Sequence, residues 1–282
     1  MNQIQAKKVI ESFLLEDIGT GDVSSSIFPP TSIAKGTFIA KAEGVFVGNK
    51  IIEWVYECLG ANVAIQMFKQ DSDMIKKGDI IATVEGSVTA LLTGERVILN
   101  LIQRMSGIAT MTREAVTKLE PDRTKICDTR KTMPGLRMFD KYAVGCGGGY
   151  NHRFGLYDAV MLKDNHITHA GSIMRAVNMI RQKVGHMMKV EVEVETKEQV
   201  LEAVAAGSDV IMLDNCPPEK IRELIKFIPD TIITEASGGI TLSNLSEFRN
   251  CGLDYISLGC LTHSVVALDI SFNIEGGEKW IF

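Results

Sequence analysis

Six cysteines are scattered along this chain, at 58, 127, 146, 216, 251 and 260, and no two of them form a C-x-x-C pair or stand at zinc-ligand spacing. Nothing in that spacing points to a structural zinc site, and small buried residues in a reducing compartment are the simplest reading. No apolar run approaches the roughly 20 residues of a membrane span. The N-terminal MNQIQAKKVIESFLLEDIG is interrupted by Glu11, Glu16 and Asp17, so it reads as an amphipathic helix rather than a signal peptide. Low-complexity tracts are missing, and so is any basic excess. A net charge of -5 and a pI near 5.6 argue against a general nucleic-acid or acidic-membrane surface. The expectation is a soluble, cytoplasmic protein with neither nucleic acid nor membrane as a partner.

Against that acidic background, Asp128 to His166 gathers Arg130, Lys131, Arg137, Lys141, Arg153 and Lys163 around a Gly147-Gly148-Gly149 run, with His152 and His166 among them. Short apolar runs lead into the charges: Ile126-Cys127 into Asp128-Thr129-Arg130-Lys131, and Ala159 to Leu162 into Lys163-Asp164-Asn165-His166. Such runs read as buried strands of a parallel sheet, and ligands in those folds sit beyond the carboxyl ends of strands. Arg matches carboxylate and phosphate oxygens with a planar fork, while Lys supplies a mobile charge. These strand ends therefore point to a pocket for a multiply anionic small molecule. Cys146, beside the glycines, is a weaker candidate nucleophile because no base is assigned to it.

The 282 residues, 45% of them hydrophobic, suffice for one large or two moderate domains. Ile4, Val9, Ile10, Phe13 and Leu14 recur at helical spacing, and the acidic turn from Glu16 to Asp22 reads as a helix exit. Between 35 and 86, alternating runs around a helix near Ile51 to Leu59 argue for an antiparallel sheet with one face on helices. Lys77 to Gly86 is similar to swinging-arm carrier domains but has no lysine at its central turn, so it is scaffold. From Ala90 to Met105 a strong helix follows, with Arg96, Asn100 and Gln103 on one face that is solvated by default.

Beyond Gly107 the chain alternates. Strands are expected at 125–129, 159–163, 189–194, 210–213, 231–235 and 255–258, with amphipathic helices between them, a rhythm that predicts an α/β barrel. Thr196 to Gln199 resembles a capping box and Gly207 a helix stop. Residues 268–272 read as a last strand followed by a tail.

In Lys189 to Glu195, valines alternate with Glu191, Glu193 and Glu195, which puts the acids on one face, toward the barrel axis. Glu193 and Asp214, near the ends of consecutive strands, suit either Mg2+ or a salt-bridge cluster with nearby lysines. Ser237-Gly238-Gly239 and Gly259 to Ser264 follow the last two strands, each expected to open a helix and offer backbone N–H groups to a phosphate.

DTRKTMPGLR, KYAVGCGGGYNHRFGLYDAVMLKDNH, VEVEVE, VIMLDN, EASGGIT and DYISLGCLTHS, in that order and spacing, resemble the quinolinate phosphoribosyltransferase family. The resemblance implies an incomplete α/β barrel at 108–269 and an N-terminal α+β, open-faced sandwich domain at 1–107 joined by the tail at about 270–282. It implies quinolinate and 5-phosphoribosyl 1-pyrophosphate (PRPP) as substrates, Mg2+ as cofactor and no organic cofactor. Arg130, His152, Arg153 and Lys163, with Arg96 from a neighbouring subunit, would hold quinolinate. Lys131 would neutralise the departing pyrophosphate, and Glu193 and Asp214 would bind the ribose hydroxyls and the metal. Ser237, Gly238, Gly259 and His263 would take the 5-phosphate. The catalytic set is then Lys131, Lys163, Glu193 and Asp214, in a homodimer or higher oligomer with a shared site.

Three rivals are weighed against this. A paralogue using another acid would lack carboxylate-binding arginines, yet Arg96, Arg130 and Arg153 are present; a non-catalytic PRPP sensor would have lost Lys131, Lys163 or an acid. An aldolase would use Lys163 as a Schiff-base lysine, against which its Asp-Asn-His flank speaks. Gly145 is a small residue where members of the family often carry a larger one.

Overall fold

The computed structural model describes residues 1–121 and 123–275. They fall into two compact units, the first comprising Met1–Met111, Met133–Gly148 and the chain from Val265, the second Thr112–Thr132 and Gly149–Ser264. In chain order the elements are α1 (Gln3–Ile18), β1 (Ile33–Ala40), β2 (Gly44–Val45), α2 (Asn49–Cys58), β3 (Ala64–Met67), β4 (Met74–Ile75), β5 (Ile80–Ser87) and α3 (Val88–Leu119). Next come β6 (Lys125–Cys127), α4 (Arg137–Cys146), β7 (Val160–Leu162), α5 (Asp164–Ala170), α6 (Ile173–Arg181), β8 (Val190–Val194) and α7 (Lys197–Ala205). The rest are β9 (Val210–Asp214), α8 (Pro218–Leu224), β10 (Ile233–Ser237), β11 (Tyr255–Ser257), α9 (Cys260–His263) and β12 (Ile270–Ile274).

In the first unit, α1 starts where the Asn2 side chain accepts the Gln5 N–H at 3.1 Å. Its buried stripe is Ala6, Ile10 and Leu14, whereas Ile4 is 73% exposed. At about 100° per residue, Ile4 falls on the opposite side from Ala6. The expected helix from Ala90 to Met105 runs on to Leu119, because Ile108, Ala109, Ala115 and Leu119 prolong its buried face. Gly107 does not break it: a Cβ there would lie 2.1 Å from the Val266 carbonyl oxygen, so this glycine permits close packing rather than a turn.

The antiparallel sheet of this unit has the order β12-β1-β5-β3. Gly36 leaves room for the ring of Phe272, which would meet an added Cβ at 2.2 Å and which stacks on Phe38 with centroids 4.6 Å apart. Residues 276–282 of the expected tail lie outside the described residues.

The second unit is an incomplete α/β barrel of six parallel strands, ordered β6-β11-β10-β9-β8-β7. In β8 the three valines are at most 1% exposed and turn to the helices. The acids between and after them grade from buried Glu191 through half-buried Glu193 to exposed Glu195, from the interior toward the carboxyl edge. The Thr196–Gln199 capping box opens α7 as expected, and Gly207, with φ of 73°, turns the chain away after it. Cys127, Cys216 and Cys251 are buried and Cys58, Cys146 and Cys260 half-buried. No helix among the described residues is long and apolar enough to cross a membrane.

Candidate active site

The carboxyl ends of the six strands surround a cavity of about 470 Å³ lined by Thr129, Arg130, Lys131, His152, Arg153, Lys163, Glu193, Asp214, Ser237, Gly238 and Gly239, among others. Register explains the convergence. Glu193 stands opposite Met212 and Ser237 opposite Asp214, so three neighbouring strands present polar ends to one mouth.

Arg130 and Arg153 each have a buried Nε with no hydrogen-bond partner. Burial, and then the charge of Arg130, pulls the Arg153 guanidinium below its usual range. Two neighbouring cations whose buried Nε atoms find no protein acceptor constitute a demand for an anion. Arg153 Nη1 donates to the Ala159 carbonyl at 2.9 Å, which fixes the direction of its fork. Lys163 Nζ lies 2.5 Å from Glu193 Oε1. Burial raises the Glu193 carboxyl against the pull of Lys163, and burial likewise raises Asp214.

His152 is set by both its neighbours and its partners. Its N–H donates to Asp128 Oδ1 at 2.8 Å, its Nδ1 accepts the Arg153 N–H at 2.8 Å, and its Nε2 lies 2.9 Å from Glu191 Oε2. On the other side of the mouth, Gly238 has φ of 87°, and a Cβ there would lie 2.2 Å from Asn215 Oδ1. Asn215 in turn donates from Nδ2 to Asp214 at 2.7 Å. Gly259 sits against Lys131 and His263, either of which would be 3.1 Å from an added Cβ.

One expectation needs correction. Gly259 opens α9, a helix of 4 residues, but Gly238 and Gly239 open none; the next element is a 3-10 turn at Leu245–Phe248. Their φ angles of 87° and 67° are of the wrong hand for a right-handed helix. Arg96 is exposed on α3, in the first unit. Cys146 also belongs to the first unit, and burial pushes its thiol up, away from a nucleophilic thiolate. Two participants escaped the sequence reading. Asn215 follows Asp214 directly but shows its role only through its φ of 50° and its contact with Gly238; Glu235, an acid inside the buried strand ITEAS, was the visible clue to a polar barrel interior.

A parallel barrel whose carboxyl mouth combines two arginines with partnerless Nε atoms, two burial-raised acids and glycine loops defines a barrel enzyme for polyanionic small molecules. Residues 22–106 match the model of the quinolinate phosphoribosyl transferase N-terminal domain, and residues 108–273 that of its C-terminal domain. The chain belongs to the quinolinate phosphoribosyl transferase family. It is 58% identical over 275 residues to the probable nicotinate-nucleotide pyrophosphorylase [carboxylating] of Bacillus subtilis (strain 168), covering 97% of this chain and 95% of that one. NadC from Streptococcus pyogenes superposes with a TM-score of 0.92 at 43% identity, over 98% of this chain and 97% of that one. The nicotinate-nucleotide pyrophosphorylase of Francisella tularensis gives 0.91 at 34% identity, over 98% of both chains.

Proposed function

We propose that this chain transfers the phosphoribosyl group of PRPP to quinolinate with loss of CO2, giving nicotinate mononucleotide and pyrophosphate in de novo NAD synthesis. It is a pentosyltransferase, the carboxylating nicotinate-nucleotide diphosphorylase. The observation that carries this reading is the pair of buried, partnerless Nε atoms of Arg130 and Arg153 beside Lys163 in one cavity, an arrangement complementary to an aromatic dicarboxylate.

The reaction needs no covalent help from the protein. The pyridine nitrogen attacks the anomeric carbon as the bond to pyrophosphate breaks, so catalysis consists of positioning and charge stabilisation. Arg130, His152, Arg153 and Lys163 orient quinolinate, joined by Arg96 of a neighbouring subunit in a homodimer or larger assembly. Lys131 meets the departing pyrophosphate. Glu193 and Asp214 hold the ribose hydroxyls and stabilise positive charge developing at the anomeric carbon. Ser237, Gly238, Gly259 and His263 receive the 5-phosphate. The ribosylated pyridinium then accepts the electron pair of the breaking C–CO2 bond, and the vacated ring carbon takes up one proton.

Glu193 and Asp214 also fit Mg2+. They are hard oxygen donors, and burial raises both carboxyls, a cost that a bound cation would offset. When bound, the ion supplies charge neutralisation to the pyrophosphate oxygens. The compartment consistent with this chemistry and with cysteines scattered without a pairing pattern is the cytoplasm.

The test is to mix the purified protein with quinolinate, PRPP and Mg2+ and to follow nicotinate mononucleotide and CO2 together. Both products are expected, and both should vanish in Arg130→Ala and Lys163→Ala. A folded protein that binds PRPP but releases neither product would show that the acid substrate is another.

A further inference from the structure

A second cavity, of about 270 Å³, lies at the opposite edge of the barrel sheet, where Val160, Val210, Ile233 and Tyr255 begin β7, β9, β10 and β11. His152 and Arg153 line both cavities, whereas Glu191 and Glu235 line only this one. The substrate cavity and the amino-edge cavity are thus separated by a thin floor, and the two acids lie on its far side. Both acids are 4% exposed, and Asp128 beside them is fully buried.

The floor is short of protons. Because Nδ1 of His152 accepts the Arg153 N–H, the neutral ring carries its proton on Nε2, between Glu191 Oε2 at 2.9 Å and Glu235 Oε1 at 3.7 Å. Glu235 Oε1 also accepts from Ser257, while Glu191 Oε1 is buried without a hydrogen-bond partner. The donor atoms of His152, Glu191 and Glu235 all lie within 4.8 Å of one another. Two carboxylates this close and this dry do not both ionise at low cost.

We propose that Glu235 is a positioning residue of the acid-binding site: held by Ser257 and set against His152 in the floor between the two cavities, its carboxyl keeps the His152–Arg153 pair seated beneath the substrate. This rests on the reading of quinolinate as the acid substrate. The groups facing Glu235 are Glu191 from β8, Asp128 after β6, His152 from the connection between β6 and β7, and Ser257 and the register partner Tyr255 of β11; Met212, its register partner on β9, is uncharged. Burial, and then the charge of Glu191, pushes the Glu235 carboxyl up to about 7. Below that pH the floor is seated and carries less charge. Above it, one more negative charge forms beneath a site that holds a dianion.

The experiment is calorimetric titration of quinolinate into wild-type protein, Glu235→Gln, Glu235→Ala and Ser257→Ala across this pH range, alongside steady-state kinetics. Wild-type affinity should fall several-fold as pH rises through the Glu235 transition, appearing as a higher KM for quinolinate with kcat and the KM for PRPP little changed. Glu235→Gln, which keeps the neutral shape, should bind like wild type at low pH and lose the slope. Glu235→Ala leaves polar groups unpaired and should bind roughly tenfold or more weakly at every pH. Ser257→Ala removes a donor that favours the ionised form, so the slope should move to higher pH; it also serves if Glu235→Ala fails to fold.

The proposal is overturned if Glu235→Gln keeps the wild-type slope, if it binds as poorly as Glu235→Ala, or if the KM for PRPP moves instead. A stoichiometric metal present in the wild type and lost in Glu235→Gln would also overturn it, since the acids would then be ligands. The reading of the reaction fails separately, through a wild type that binds quinolinate with this pH dependence yet forms no nicotinate mononucleotide.

Discussion

Lys163 pulls down the Glu193 carboxyl while burial raises it, at a separation of 2.5 Å. Replacing it by Met keeps the apolar stem and removes the charge, leaving Glu193 without its cation and, in the proposed reaction, the substrate acid without one of its partners. For Lys163→Met, kcat/KM for quinolinate is expected to fall on the order of a hundredfold or more, the usual cost of removing a charge that stabilises the transition state; a change within about threefold would make the pair incidental. Glu235 affects stability as well as binding. Its folded pKa of about 7 lies above the ordinary 4.5, so between those values the folded chain holds a proton that the unfolded chain has already released. Stability from this group is therefore lost as pH rises through that window. Thermal unfolding should show Glu235→Gln more stable than wild type at about pH 8, with the two converging at about pH 5.

At the scale of elements, Gly36 is the position where β1 makes room for β12. A Cβ there would lie 2.2 Å from the Phe272 ring, and because that ring is packed against Phe38 it cannot retreat freely. Gly36→Ala should destabilise the protein by about 1–3 kcal/mol, the usual range for overpacking, read as a lower midpoint in urea unfolding. An unchanged midpoint would mean that the sheet edge yields. The barrel elements were legible because their cues are local. Valine alternation marked β8, Thr196 and Gln199 marked the start of α7, and Gly207 marked its end. The length of α3 was not legible, because Gly107 looks like a breaker until Val266 is seen packed against it. The turn after β10 was misread for a similar reason: Ser-Gly-Gly is the same string whether its glycines enter a helix or take positive φ, and contact with Asn215 decides between them.

For the whole molecule, the question is whether each active site is complete within one chain. Arg96 is exposed on α3 in the first unit, and the cavity of the second unit is lined entirely by that unit's own residues. If a neighbour's Arg96 completes the site, Arg96→Ala and Lys163→Ala should each be nearly inactive alone. Mixed under conditions that allow subunits to exchange, they should regain activity, since some sites then combine an intact arginine with an intact lysine. Activity that stays absent after proven exchange would place Arg96 outside the site. Sedimentation of the wild type across a range of concentrations gives the assembly size against which recovery is judged.

What the sequence by itself determined is what neighbouring residues decide together: strand and helix periods, the capping box, the cations placed just after strands, and motifs long enough to mark the family. Only the tertiary structure decided which distant strand ends meet. His152, Glu191, Glu235 and Ser257 come from separate parts of the chain, and no local pattern says that one imidazole sits between two acids. Nor does any say that Phe272 fills the gap at Gly36. The reason is physical. Periodicity is a property of a few consecutive residues, whereas strand order and register follow from burying all the apolar faces at once, and the polar groups left inside must find partners in whatever arrangement results.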